Sequence, residues 1–520
     1  MIRLNMRQLN LAFSIILLVF AFLLHETVQA GNILVPGQGS SGMGTAYAGG
    51  AAQAEDASTI FYNPAGIALL NAGQLQQGLT AIFPSAQFTN EGSRYDLPNT
   101  PFNGLPISGG NGGNPGIAAA IPYLYISQPL MRSSQQGDLS IGFGLSVPFG
   151  LQTDYSPGWV GRYSALRSKL RTIDLQPTIA YRIWDRLSVG ASLDIQYASA
   201  RLTEAIDFGL AGAQAVGQFT QALPAVLGAQ GVPAAAIPGI VASTQRAYSD
   251  AGFVPGGRDG ITEVSGNNWA VGFTLGAILE YLKGNEQTLF QDGRVGFSYR
   301  SAVTQEIQAN AQFRGVPVIT APGAPVQFPS PNLFTDAFFN QGASAQLDLP
   351  DIYHFSIYQR FLRHLALMGD IEWTRWSKLQ SIAVKFNNPA TPIGLIRLNY
   401  QDSLRFAIGL EWFATRNFTC RCGFAYDQTP VTSAAFRIPQ LPDNDEYSLA
   451  VGFRWSPTRW MDIDVGYLHI FIPNGQADVA DNQGHILRGN FSTASNLVSA
   501  GATVHWGGPR EEKIMAPSPK

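Results

Sequence analysis

The sequence predicts an all-β protein, a transmembrane antiparallel β-barrel of about fourteen strands, from two observations. From Leu404 to Trp412 every second residue is apolar, and a strand turns alternate side chains to opposite faces. The same alternation recurs in four later segments, 418–426, 447–455, 461–467 and 498–506. The apolar face is rich in aromatic residues, whereas the other face is rich in Gly and Ala. A closed barrel with an apolar exterior accounts for both faces, since closure in lipid leaves no backbone group unpaired.

Fourteen segments carry the strand pattern, an even number as in single-chain bacterial barrels. They are 74–90, 117–129, 138–150, 168–182, 186–203, 268–282, 293–309, 347–361, 364–388, 402–413, 417–428, 446–456, 460–471 and 496–507. Segment 364–388 is kept whole because no Gly, Pro, Asn or Asp lies between Glu372 and Phe386 to turn the chain. Together the segments place the barrel over residues 73–507.

The connections between these segments alternate between short and long, as short periplasmic turns and long outer loops do. The long connections lie near 91–116, 204–267, 310–346, 429–445 and 472–495. This alternation independently supports the strand count.

The chain begins with features of an exported protein. Two arginines precede an apolar run over 11–24, and residues 28–30 offer a small-residue cleavage site. This pattern predicts a cleaved signal peptide over residues 1–30. No later stretch of about 18 apolar residues is present, so a helical membrane protein is not expected. Residues 508–520 are expected to form a periplasmic tail.

The composition excludes several classes of function. Charged residues make up 13% of the chain, below the roughly 25% of soluble domains, and the net charge of −3 gives no reason to expect nucleic acid. The histidines of the mature chain are scattered singly, so no metal, cofactor or catalytic residue is expected. Charged residues of the polar face, among them Glu411, Arg421 and Asp464, are expected to pair with one another and with a plug.

That plug is predicted over residues 31–72, ahead of the first strand. The segment is rich in Gly, Ala and Ser, and it lacks both strand alternation and a substantial apolar face. We therefore expect it to fold into the lumen as a hatch. Its Asn63, Pro64 and Ala65 form either a plain turn, since Asn-Pro initiates turns readily, or a hatch turn whose movement gates the lumen.

A proline interrupts the predicted strand 138–150. Proline cannot donate to a ladder, and a closed barrel has no edge strand on which to place Pro148. Either the strand ends at Val147, or it kinks at Pro148, Phe149 and Gly150 and opens the wall.

The longest loop predicts a helix between Gly212 and Gly228, which Pro224 should kink or interrupt, and a short helical turn over 234–241. The longer helix either caps the barrel or turns its apolar face to a ligand groove. Candidate apolar ligand contacts in the two longest loops are Phe219, Leu223, Val226, Phe334, Phe338 and Phe339.

Four segments resemble the outer-membrane long-chain fatty-acid transporters (FadL-type, including the aromatic-hydrocarbon uptake porins). They are SSGMGTAYAGGAAQAEDASTIFYNPAG at 40–66, LPDIYHFSIYQRF at 349–361, WTRWSKLQ at 373–380 and FAYDQTPVTSAAFRIPQLPDND at 424–445. The resemblance implies a fourteen-stranded barrel plugged by a hatch. It also implies ligand capture at the outer loops and sideways release where PFGLQTDY, 148–155, kinks inward.

The resemblance does not decide whether the ligand carries a carboxylate or is neutral. Glu204 stands where fatty-acid members carry a basic residue, and Arg201 and Lys385 are the nearby cationic candidates. Because each buried methylene contributes about 0.8 kcal/mol, a long acyl tail binds without a charge contact. A neutral aromatic hydrocarbon is the alternative ligand.

The sequence thus predicts passive uptake of a hydrophobic small molecule, in first place a long-chain fatty acid, by a monomer. Its other contacts are expected to be outer-membrane lipid and lipopolysaccharide. Two other functions fit the predicted hatch less well. A lipolytic outer-membrane enzyme does not need a hatch, and a general diffusion porin needs an open lumen, which a hatch would close.

Overall fold

The computed structural model of the protein describes residues 33–132, 137–284 and 288–507. The predicted signal peptide over 1–30 and the predicted tail over 508–520 lie outside the described residues. Fourteen antiparallel strands form the wall, as the sequence predicts. They are β1 Gly73–Asn90, β2 Ala119–Met131, β3 Asp138–Ser146 and Gly150–Asp154, β4 Arg167–Trp184, β5 Leu187–Asp207, β6 Asp259–Lys283, β7 Phe290–Arg300 and Val303–Arg314, β8 Gln341–Leu349 and Ile352–Phe361, β9 Leu365–Thr374 and Ser381–Phe386, β10 Ser403–Thr415, β11 Phe418–Asp427, β12 Glu446–Thr458, β13 Met461–Ala480 and β14 His485–Trp506.

The sheet closes on itself through its first and last strands. β1 pairs with β14 along its whole length, from Gly73 opposite Trp506 to Asn90 opposite Gly489. Every other wall strand pairs with its neighbours in the chain. A closed antiparallel sheet is the β arrangement that satisfies its backbone groups within lipid.

The two faces of the wall are those the alternation predicts. Ile408 and Val451 are 51% and 56% exposed, and they belong to a broad band of exposed apolar side chains. The residues next to them, Gly409 and Gly452, face the other way. A Cβ added at Gly409 would lie 2.7 Å from Cβ of Thr45, so the inner face contacts the N-terminal part of the chain.

The predicted unbroken strand over 364–388 is wrong. β9 is interrupted by a short 3₁₀ turn, Trp376–Lys378, whose Trp376 side chain is buried. Asp351, in the break of β8, holds this turn in place: its carboxylate lies 2.9 Å from Nζ of Lys378 and 3.3 Å from Nη1 of Arg375. A tertiary ion pair thus bends a segment that contains no turn-forming residue. β7 and β8, each predicted as one strand, are interrupted beside it.

The outer loops are shorter than predicted because the strands extend into the residues that were predicted to be loops. β13 and β14 pair as far as Ala480 opposite Ile486, so the predicted loop over 472–495 is a long hairpin joined by residues 481–484. The same extension of β5, β6, β7 and β8 narrows the predicted loops over 204–267 and 310–346.

Two one-turn helices, α1 (Ser40–Met43) and α2 (Thr59–Tyr62), precede the barrel, and the longest loop forms two more, α3 (Phe208–Ala229) and α4 (Ile237–Asp250). Pro224 lies inside α3 and does not interrupt it, and the neighbouring Leu223 is buried. Pro238 occupies the first turn of α4, where a missing N–H is tolerated. No helix in the described part of the chain is both long and apolar enough to cross a bilayer.

An arginine in the exposed apolar band should destabilise the barrel. We expect Ile408→Arg and Val451→Arg each to cost about 2–4 kcal/mol, because both place a charge in hydrocarbon. Urea titration of folding into lipid vesicles measures this cost. Gln346→Arg is the control, since Gln346 lies on an exposed polar stretch opposite Glu306. Tolerance of arginine at both apolar sites would show that these side chains do not face lipid.

Candidate functional site

The N-terminal segment, residues 33–72, is tied to the barrel wall by buried ion pairs. Arg421 on β11 donates to Glu55 through Nη2 at 2.7 Å. Arg454 on β12 donates to Asp56 at 2.9 Å and also contacts Glu55. Both arginines are at least 96% buried, so the pairs are largely removed from solvent.

Two wall carboxylates also belong to this cluster. Asp464 on β13 accepts from both arginines, at 2.6 Å from Arg421 and 2.9 Å from Arg454. Glu411 on β10 accepts from Arg421 at 2.6 Å. A buried charge is stable only when paired and hydrogen-bonded, so removal of the segment would leave the arginines with fewer partners. The sequence predicts that Glu411, Arg421 and Asp464 form ion pairs. It does not predict that Glu55, Asp56 and Arg454 take part in them.

Glycines on the inner face make room for the segment. At nine wall positions an added Cβ would come closer than 3.0 Å to an atom of residues 33–72. These positions are Gly142, Gly190, Gly276, Gly296, Gly409, Gly423, Gly452, Gly466 and Gly501. The Gly-rich inner face therefore matches the shape of the segment that fills the lumen.

The Asn63 side chain is an anchor between the segment and the wall. It is fully buried, and its Nδ2 donates to the carbonyl oxygens of Ala51 at 2.7 Å and of Ala277 on β6 at 3.1 Å. Its Oδ1 accepts from the Ala65 N–H at 3.1 Å and so caps the 3₁₀ helix Pro64–Leu69. Asn63 thus holds the segment together and fastens it to the wall.

The wall has a gap between β2 and β3. Pairing of these strands ends at Leu124 opposite Leu145; the second part of β3 pairs with β4, and its Thr153 bridges Gly116, which lies ahead of β2. Residues 119–123 of β2 consequently have no ladder partner on the β3 side. The interruption covers 147–149, the positions at which the sequence predicts either a strand end or a kink, and the strand resumes at Gly150.

The N-terminal segment supplies hydrogen bonds at this interruption. The Val35 N–H donates to the Pro148 carbonyl at 2.9 Å, and the Gly150 N–H donates to the Ile33 carbonyl at 2.9 Å. Leu34 and Phe149 are bridge partners between these two bonds. The segment here acts as a short replacement strand.

A side-chain clamp lies next to this bridge. Gln38 donates through Nε2 to the Val147 carbonyl at 2.6 Å, and it accepts through Oε1 from the Val147 N–H at 3.0 Å. Phe149 remains bound to β4, because Thr172 both donates to it and accepts from it at 2.9 Å. The freed backbone groups of the interrupted strand are therefore satisfied from two sides.

Two adjacent cavities lie between the outer loops and this interruption. An outer groove of about 560 Å³ is lined by aromatic side chains that include Phe208, Phe338 and Phe386. An inner apolar pocket of about 80 Å³ shares Leu202 and other lining residues with the groove and reaches Ile33 of the N-terminal segment. Apolar walls thus continue from the outer surface to the segment.

A third cavity, of about 110 Å³, lies in the lumen on the other side of residues 33–38. Residues 34–38 line it, together with charged side chains of the wall such as Arg300, Glu372 and Arg405. The short stretch 33–38 therefore borders the apolar pocket, the lumen cavity and the wall gap.

Of the predicted apolar contacts, one lines the groove. Phe338 does so, and Phe334 is buried behind it with its ring centre 5.1 Å from that of Phe208. The other four do not line it: Leu223 is buried in the loop, Phe219 packs against another loop ring, and Val226 and Phe339 are about half exposed.

The two predicted cations lie on the outer face of the wall. Arg201 precedes the groove residue Leu202 on β5, and its Nε lies 3.7 Å from Glu263. Lys385 is exposed, while its neighbours Val384 and Phe386 line the groove. Strand alternation turns both cations away from the cavities, because the loop base is still regular sheet.

Comparison with known families agrees with this architecture. The family model described as "Outer membrane protein transport protein (OMPP1/FadL/TodX)" matches residues 21–506. The chain belongs to this family. It is accordingly an outer-membrane protein, and members of its family are transporters and channels.

Similar proteins include two curated members of the OMPP1/FadL/TodX family. The long-chain fatty acid transport protein of Escherichia coli O6:H1 is 26% identical over 434 residues, covering 83% of this chain and 85% of that protein. Outer membrane protein P1 of Haemophilus influenzae is 23% identical, covering 83% and 84%.

Solved structures of the family share the fold. A Pseudomonas aeruginosa FadL homologue has a TM-score of 0.71 at 22% identity and covers 92% of this chain and 100% of its own. The Pseudomonas putida toluene transporter TodX has a TM-score of 0.55 at 15% identity, covering 92% and 100%.

Neutralising the segment's carboxylates should loosen the plug. We expect the Glu55→Gln, Asp56→Asn variant to conduct ions more readily than the unaltered protein, because Arg421 and Arg454 lose partners in the lumen. Planar-bilayer recordings measure the conductance. The control, Glu306→Gln with Asp348→Asn, removes one exposed and one half-buried carboxylate from strands β7 and β8, away from the ion-pair cluster. If both double variants kept the conductance of the unaltered protein, the ion pairs would not hold the plug.

Proposed function

We propose that this protein takes up hydrophobic small molecules passively across the outer membrane. Ligand enters the outer groove, moves into the inner apolar pocket, passes residues 33–38 and leaves sideways through the gap near Pro148. One observation carries the proposal: residues 33–38 border the pocket, the lumen cavity and the gap at once. Movement of this single stretch would therefore join the entry route to the exit.

The energetics suit a ligand with a long apolar part. At about 0.8 kcal/mol per buried methylene, ten methylenes in the groove and pocket contribute on the order of 8 kcal/mol. Lipid offers the same tail a comparable environment, whereas water at the periplasmic end does not. Sideways release is therefore favoured without an energy source.

An acyl chain is the first candidate ligand. The groove and the pocket share lining residues and so form an elongated apolar space, which matches a chain better than a compact ring. The long-chain fatty acid transport protein among the relatives supports the same choice.

An aromatic hydrocarbon is the second candidate. The rings of Phe208, Phe338 and Phe386 in the groove favour it, and the toluene transporter among the similar structures is consistent with it. A lipolytic enzyme is a weaker candidate, because members of the family are transporters.

The role of residues 33–38 is testable with a reversible crosslink. Leu34 and Phe149 face each other as a pair flanked by hydrogen bonds, an arrangement in which antiparallel Cα atoms are about 4.5 Å apart. This spacing lies within the range that a disulfide spans. Leu34→Cys with Phe149→Cys should therefore lock the segment against β3 on oxidation.

We expect uptake of a labelled long-chain fatty acid to fall in the oxidised variant and to recover with reductant. The background carries Cys420→Ala and Cys422→Ala, since both native cysteines are free thiols. Each single cysteine variant serves as the control for loss of the Leu34 or Phe149 side chain. Undiminished uptake by the fully crosslinked protein would place the route elsewhere.

A further inference from the structure

The outer groove carries a charge pattern that apolar capture alone does not require. Its lining includes four carboxylates, Asp96, Glu204, Asp207 and Asp481. Within the described ranges, no lysine or arginine lines this groove. The space that first receives a ligand is thus apolar and acidic.

Two of these carboxylates already have a cation. His485 lies between Asp481, 2.6 Å from Nδ1, and Asp207, 3.5 Å from Nε2. Burial alone would lower the pKa of His485, but its interactions with the two carboxylates raise it to about 9. Asp207 also accepts from the Leu210 N–H, as the N-cap of α3. Asp207 and Asp481 therefore belong to a structural cluster in which His485 offsets part of their charge.

Glu204 differs from them in having no partner. No hydrogen-bond donor or cation of the described chain is within bonding distance of its partly buried carboxylate, which lines the groove. Burial, followed by the charge of Asp481, raises the pKa of Glu204 to about 8, as expected for a carboxylate without a counter-ion. The residue lies beyond Tyr197 and Trp269, whose rings pack at 5.1 Å on the outer end of the lipid-facing band.

We propose that the groove favours a cation over a carboxylate at the polar end of a long-chain ligand, so that ammonium amphiphiles bind more tightly than fatty acids of equal chain length, with Glu204 as their counter-ion. An ammonium group beside Glu204 supplies the missing positive charge, while its tail enters the pocket through Leu202 and Ile396. A ligand carboxylate would instead add a negative charge beside Asp96, Asp481 and Glu204, and it would hold Glu204 in its protonated form. The first basic residue on its way is Lys169, which belongs to the wall of the inner pocket.

This inference rests on the proposed function, and matched probes separate the two. The full-length protein is presented with dodecyltrimethylammonium, dodecanol and dodecanoate, and bound probe is counted by native mass spectrometry. We expect the ammonium to bind about tenfold more tightly than the carboxylate, with dodecanol between them. In Glu204→Gln the preference for ammonium over carboxylate should fall about tenfold, while dodecanol binding stays unchanged.

Glu306→Gln, which removes an exposed carboxylate from β7, is the control and should keep the preference. Equal or tighter binding of dodecanoate by the unaltered protein would overturn the inference while leaving hydrophobic uptake intact. So would an unchanged preference in Glu204→Gln. Failure of all three probes to bind would overturn the proposed function as well.

Discussion

The buried ion pairs between the wall and the N-terminal segment are the interaction on which the rest of the structure depends. Arg421 and Arg454 sit on neighbouring strands and face a lumen from which water is largely excluded. Buried charges need hydrogen-bonded partners, and Glu55 and Asp56 supply part of them, so the segment that carries these two residues fits closely against the wall. The nine glycines of the inner face are the steric consequence of that fit.

Filling the lumen also explains how the wall can be interrupted. A proline in a lipid-embedded sheet leaves backbone groups without partners, at a cost of several kcal/mol for each unsatisfied group. Here Ile33, Val35 and Gln38 provide the partners that β2 does not. The gap near Pro148 is therefore stable only while the segment is in place. The stability of the gap is thus coupled to the position of the N-terminal segment. Such coupling is expected if the segment must move to open the route.

Sequence alone could predict the features that depend on local pattern. The alternation around Ile408 and Val451 predicts the faces of the wall and the number of strands, and Pro148 indicates where a strand is interrupted. The pattern could not predict the break at Trp376, because an ion pair with Asp351 from another strand causes it. The alternation does orient Arg201 and Lys385, because both lie inside predicted strands, and applied to them it shows that they point away from the groove that Leu202 and Phe386 line.

The wall residues that bind the N-terminal segment could not be predicted either, because these contacts join residues that are far apart in the sequence. Glu55 and Asp56 lie in a stretch with no periodicity, and Arg454 stands among the apolar residues of β12, so only the closed barrel brings them together. The Gly-rich inner face was the one available signal, because small residues repeated on one face indicate close approach of another chain segment.

The central claim is that ligand passes residues 33–38 and leaves through the wall beside Pro148. A long-chain probe with a photoreactive group at its tail, activated during uptake into intact cells, tests this most directly when labelled peptides are mapped by mass spectrometry. The account predicts labels on residues 33–38, on 147–150 and on 119–123 of β2. Labels confined to the short turns at the opposite end of the barrel would contradict it, because they would place the exit in the periplasm.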